Sequence, residues 1–129
     1  MATTIEIAGR DALLGMTKRR YAEIKCGDVT FRLQSLTEAE KSRFEKSILT
    51  AKGKIKDDAR RRLLVATLVD SDGERLLTDA DLRQLSELDG KVSQKLAAAA
   101  MEHTGFTDSD MDDLEKNSDS IHEEGSYSD

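Results

Sequence analysis

Three threonines of this 129-residue chain that are followed three positions later by an acid stand just ahead of an apolar run at helical spacing: Thr37 with Glu40, Thr78 with Asp81, and Thr107 with Asp110. That spacing is a helix-start signature. The threonine hydroxyl and the acid carboxylate can each satisfy a backbone N–H that the first helical turn leaves without a partner. The chain has no proline, so no residue inside the following segments is barred from a helix by a missing N–H. After Thr37, the residues Phe44, Ile48, Ala51 and Ile55 recur at helical spacing. They predict a helix over 37–51 that Gly53 ends. After Thr78, Leu82, Leu85 and Leu88 predict a helix over 79–88, closed by Asp89-Gly90. After Thr107 a short helix is expected over 108–116. Two further helices lie between these starts. Asp57 and Asp58 suit the positive end of a helix over 57–69, whose apolar Leu63, Leu64, Ala66 and Leu68 make it the central element. Val92, Leu96, Ala99, Ala100 and His103 predict a helix over 91–104, with Gly105 as its C-cap. The alanines at 97–100 would allow close packing against a neighbouring helix.

The segment before Thr37 has a different period. Val29, Phe31 and Leu33 alternate with Thr30, Arg32 and Gln34, the pattern of a half-buried strand. With Arg20 to Ile24 on the other side of Cys26-Gly27-Asp28, it predicts a β-hairpin over 20–34. A lone hairpin is marginal in water, so its apolar face should rest on helices. Residues 1–17 are weakly patterned and are expected to form a loosely ordered N-terminal arm, with Ala12, Leu13, Leu14 and Met16 forming at most one helical turn. Residues 117–129 are Asn117 followed by Ser, Asp, Glu and Gly with one Ile, one His and one Tyr, a composition expected to leave a disordered acidic tail. The expected fold is a mainly α, small helical domain of about five helices over 18–116, with one N-terminal β-hairpin.

Charge narrows the class further. Residues 1–68 hold 15 Lys+Arg against 9 Asp+Glu, a net of +6, whereas residues 69–129 hold 5 against 17, a net of −12. Such a chain is either a domain beside an acidic tail or a protein with two oppositely charged binding faces, self-association of the two halves being one outcome. The acidic half would repel phosphate, which disfavours a nucleic-acid binder. No apolar run approaches the ~20 residues that span a bilayer. The first residues do not look like a secretory signal. One cysteine excludes an intramolecular disulfide, in keeping with a reducing cytosol.

No catalytic constellation emerges. The two histidines are His103, expected to favour its helix dipole, and His122, in the expected tail. Cys26 has no companion for zinc. The turn Asp70-Ser71-Asp72-Gly73 can be tested as a calcium loop. With Gly73 as sixth position, the first ligand falls on Leu68, which carries no oxygen, and the twelfth on Asp79, so a plain turn is favoured. Arg60, Arg61 and Arg62 are expected to be a solvated helix face. No cofactor, metal ligand or catalytic residue is therefore assigned, and the protein is expected to work by binding another protein.

The order of elements resembles the tail assembly chaperones of long-tailed bacteriophages. Asp11-Ala-Leu-Leu-Gly15 followed by Val29-Thr-Phe-Arg-Leu-Gln-Ser-Leu-Thr37 is similar to that family's opening of arm, hairpin, cap and helix. Leu64-Val-Ala-Thr-Leu68, Asp70-Ser-Asp-Gly73 and Leu77-Thr-Asp-Ala-Asp-Leu82 are similar to its helix, acidic glycine turn and capped helix, and Met111-Asp-Asp-Leu-Glu-Lys-Asn-Ser118 to its usual end. The resemblance implies a non-enzymatic assembly factor in the host cell cytoplasm. It would bind the phage tape measure protein, recruit tail tube subunits, and be absent from the finished particle. The candidate client-binding residues are Phe44, Ile48, Leu96 and Ala100, which would serve equally well as the domain's own core.

The alternative from another class is a structural minor tail or head–tail connector subunit retained in the virion. A third reading, an acidic mimic of nucleic acid, sits badly with the basic first half. Many members of the family are also made in a longer form by −1 ribosomal frameshifting. Here Glu115-Lys116-Asn117 can be encoded GAA-AAA-AAC, which contains a slippery A-AAA-AAC; codons such as GAG-AAG-AAT would remove that reading.

Overall fold

In the computed structural model the backbone is described over residues 4–127 and the side chains over 4–117. A five-residue helix α1 (Arg10–Leu14) lies in the N-terminal arm and buries none of its side chains. The hairpin follows as β1 (Tyr21–Cys26) and β2 (Val29–Gln34), paired antiparallel from Cys26↔Val29 to Tyr21↔Gln34. The loop between them is Gly27-Asp28, and Gly27 has the positive φ of 62° that such tight turns require.

Helix α2 (Glu38–Ser47) starts at Thr37, where both halves of the expected cap are present. Glu40 N–H donates to Thr37 Oγ1 at 3.2 Å, and Thr37 N–H donates to Glu40 Oε1 at 2.8 Å. The helix ends four residues before the expected boundary at 51. Residues 50–54 close a tight loop instead, with Thr50 N–H donating to the Lys54 carbonyl at 2.7 Å, and Gly53 has φ 79°. Ile48 is consequently the C-cap, and Ile55 meets Leu49 in an isolated β-bridge rather than continuing a helical stripe.

Helix α3 (Ala59–Thr67) is the central element. Leu63 through Thr67 are all buried, so the helix has no solvated face over its last turn and a half. Leu68 does not extend it. Leu68 and Val69 form β3, which pairs antiparallel with β2 in the register Leu33↔Leu68 and Arg32↔Val69. The expected hairpin is therefore a three-stranded sheet of order β1-β2-β3, and the fold is a mixed arrangement of helices around a sheet rather than mainly α. Gln34 joins the two layers, its Nε2 donating to the Ala66 carbonyl at 2.9 Å.

The expected helix over 79–88 is only a 3₁₀ turn (Asp79–Asp81) running into α4 (Leu82–Leu85). Helix α5 (Gly90–Thr104) matches its expected span closely, with Asp89 Oδ2 accepting from Val92 N–H at 3.3 Å and Gly105 in the left-handed conformation at φ 71°. Helix α6 is continuous over Asp108–Tyr127, past the expected end at 116. Its start is capped as read, with Thr107 N–H donating to Asp110 Oδ2 at 2.7 Å and Asp110 N–H to Thr107 Oγ1 at 3.1 Å. The expected disorder of the tail concerns residues whose side chains, from 118 onward, lie outside the described set. The described residues thus hold six helices and one sheet.

One apolar core joins these elements. Leu33 from the sheet, Phe44 and Ile48 from α2, Leu63 and Leu64 from α3, Leu96 and Ala100 from α5, and Phe106 beyond α5 pack together. Phe44 and Phe106 meet edge to face, with ring centroids 5.2 Å apart and planes at 85°. Helix α5 packs against α3 and also lies over β1 and β2. Ala97 and Ala100 are buried, and their small side chains let it approach both layers.

Candidate partner-binding surface

The structure brings Phe44, Ile48, Leu96 and Ala100 together, but in the interior. They are 5%, 0%, 3% and 0% exposed and belong to one core cluster. They hold α2 and α5 to the rest of the domain and present no surface to a client. The physical reason is that an apolar stripe on a helix of a small domain is claimed first by the domain's own packing.

The apolar groups that do face solvent lie elsewhere. In the arm, Ile5, Ile7 and Met16 are more than 80% exposed, and Leu13 and Leu14 more than half. Tyr21 and Val29 on the hairpin, with Leu76 and Leu88 on loops, complete the exposed set among the described residues. The sequence carried a signal for the arm that its weak helical patterning hides: Ile5 and Ile7 alternate about Glu6.

Several polar groups serve the fold. Arg19, at the base of the arm, donates to the Ser35 carbonyl at 2.7 Å and forks onto both Glu40 oxygens at 2.8 and 3.2 Å. That guanidinium, helped by the Thr37 N–H, holds the Glu40 carboxyl down at about 2, against the opposing effect of burial. The three adjacent arginines go to three places: Arg60 to Asp108 at 3.2 Å, Arg61 to the Leu82 carbonyl at 3.4 Å, and Arg62 to Asp58 at 2.8 Å. Hydrogen bonding to Arg62 lowers the Asp58 pKa. These arginines converge on no common anion site.

Asp70 Oδ1 accepts from the N–H groups of Asp72 and Glu74 at 2.9 and 3.0 Å, so the acidic glycine turn is held by its own side chain. His103 sits at the end of α5 beside β1, its Nε2 3.2 Å from the Arg20 carbonyl, while Arg20 Nη2 donates to the His103 carbonyl at 3.1 Å. Cys26 is half-buried against the core. Among the described residues no three His, Cys, Asp or Glu side chains are placed to share a metal ion, and no helix is long and apolar enough to cross a membrane.

The described residues form a capped helical layer on a small antiparallel sheet. Residues 21–119 match the family described as phage tail assembly chaperone, and the chain belongs to that family. The match starts at β1, so the Asp11–Gly15 stretch that resembled the family's opening lies outside it. Among solved structures the chain is similar to the tail assembly chaperone of bacteriophage HK97. The identity is 18% and the TM-score 0.51, over 75% of this chain and 95% of that one. At that identity the likeness is one of fold. No match was found among curated proteins.

Proposed function

We propose that this chain is a non-enzymatic assembly factor that binds the phage tape measure protein and promotes assembly of the tail tube around it. It works in the host cell cytoplasm and leaves before the particle is finished. The observation that carries this reading is the family match over residues 21–119, which takes in the sheet and the helices α2 to α5. The placement of apolar groups supports it. The core is satisfied internally, and further large apolar side chains stand in solvent on the arm and the 76 and 88 loops. An extended amphipathic client exposes apolar stripes of its own, and covering them is what such side chains are suited to do. The excess of acid in the second half adds charge that keeps a complex dispersed.

The frameshifted longer form belongs to the same proposal, with one change of geometry. Glu115, Lys116 and Asn117 lie inside α6, not at a helix end, so a shift there would replace the rest of a helix rather than a separate tail. Glu115 is also anchored, its Oε2 accepting from Ile55 N–H at 2.8 Å.

Co-expression with the tape measure protein is the test. The client should become soluble and co-purify with this chain, and mass spectrometry of purified particles should find the chain absent. Stoichiometric presence in particles would instead establish a structural tail or connector subunit.

A further inference from the structure

The sheet has two edges, and they are finished differently. On the β3 side, Val69 bridges Arg75 and Leu76 N–H donates to the Leu68 carbonyl at 3.0 Å, so the following chain covers that edge. On the β1 side no strand is paired among the described residues. The register fixes which groups are left there. Cys26↔Val29 closes a two-residue turn, and Ser35 N–H donates to the Arg20 carbonyl at 2.8 Å, so the even-numbered residues of β1 bond inward to β2. The backbone groups of Tyr21, Glu23 and Lys25 point outward. The Lys95 ammonium reaches over to the Lys25 carbonyl, the kind of lysine guard that edge strands carry. Beside this edge, β1 and α5 leave an open cleft of about 420 Å³ whose lining includes Ala22, Ile24 and Ala99.

The arm supplies a segment that fits this edge. Thr4-Ile5-Glu6-Ile7-Ala8 has strand alternation and β-branched residues, belongs to no helix or strand, and its two isoleucines are 82% and 88% exposed. We propose that residues 4–8 of one copy add as an antiparallel strand to the outer edge of β1 in a second copy. Charge selects the register. Placing Glu6 opposite Lys25 sets Ile5 opposite Cys26, Ile7 opposite Ile24 and Ala8 opposite Glu23. A slide of two residues in one direction would put Glu6 against Glu23. In the chosen register Ile5 and Ile7 fall on the same face as Cys26 and Ile24, which already pack against the core, and Ile7 leans toward the β1–α5 cleft. The Lys25 N–H and the outward groups of Glu23 then gain ladder hydrogen bonds from Glu6 and Ala8, and the Glu6 N–H takes the place of the Lys95 ammonium at the Lys25 carbonyl, as in strand-addition complexes.

The single native cysteine makes the register testable. Ile5 and Cys26 would form a non-hydrogen-bonded pair, with Cα atoms about 4.5 Å apart, within the range a disulfide spans. Oxidation of the Ile5→Cys variant should therefore yield covalent oligomers on a non-reducing gel, and adding Cys26→Ser should abolish them. In sedimentation runs over a wide concentration range the parent chain should self-associate. Ile7→Lys should weaken this on the order of tenfold. Glu6→Lys and Lys25→Glu should each weaken it by about two- to fivefold, and the double swap should restore it. A monomer at every concentration would overturn the proposal. So would covalent oligomers that persist without Cys26, or a disulfide formed only within one chain. Circular dichroism of each variant guards against loss through misfolding, since every substituted arm position is solvent-exposed.

Discussion

Glu40 performs two tasks with one carboxylate: it closes the Thr37 cap and it receives the Arg19 guanidinium that ties the arm's base to α2. Its side chain is only 16% exposed, yet water is near enough to screen part of the attraction. Because its folded pKa of about 2 lies below the ordinary carboxylate value of about 4.3, its contribution to stability is present above the unfolded pKa. It should be lost as pH falls from about 4.5 to 2. Glu40→Gln should cost about 1–2 kcal/mol at neutral pH after screening is allowed for, and should flatten the decline in melting temperature across that acid window. Thermal melts of both proteins across that window check this. Half of this site was legible from sequence, because a cap is a contact between residues three apart. The other half was not, because Arg19 lies 21 residues from Glu40 and meets it only once the hairpin has folded back.

Among the elements, α3 has the most to lose from a single substitution. Leu63 and Leu64 are both fully buried, between the sheet-side core and α5. Leu64→Ala should cost about 2–5 kcal/mol, much of the stability of a domain this size, and denaturant titration would measure it. The burial of Leu64 and Leu68 was legible in the apolar run. The exit of Leu68 into a strand was not, since leucine suits either state and the choice is made by pairing with Leu33, 35 positions away in sequence. Helix α4 shows the same limit from the other side. Its leucine spacing suggested ten helical residues, and only Leu85 of the three leucines is buried, so packing supports a single turn.

Across the whole molecule, the arm up to Lys18 stands apart from the rest, to which Arg19 and Arg20 are tied through Ser35, Glu40 and His103. Positions 4–18 are all exposed, so removing residues 1–17 should shift the melting temperature of the dilute protein by no more than about 2–4 °C. Calorimetry at low concentration would check it, and a larger loss would mean that the arm docks on its own domain. What the amino-acid order determined by itself was local. It set the helix starts at Thr37 and Thr107, the hairpin turn at Gly27-Asp28, the left-handed stop at Gly105, and the split of charge between the halves. Each depends on groups a few residues apart, or on a count. Tertiary structure alone decided that Phe44, Ile48, Leu96 and Ala100 face inward, that a third strand completes the sheet, and that no strand among the described residues pairs with the outer edge of β1. An apolar stripe specifies only that something must cover it; whether that is the chain's own core or a partner depends on which distant surfaces reach it first.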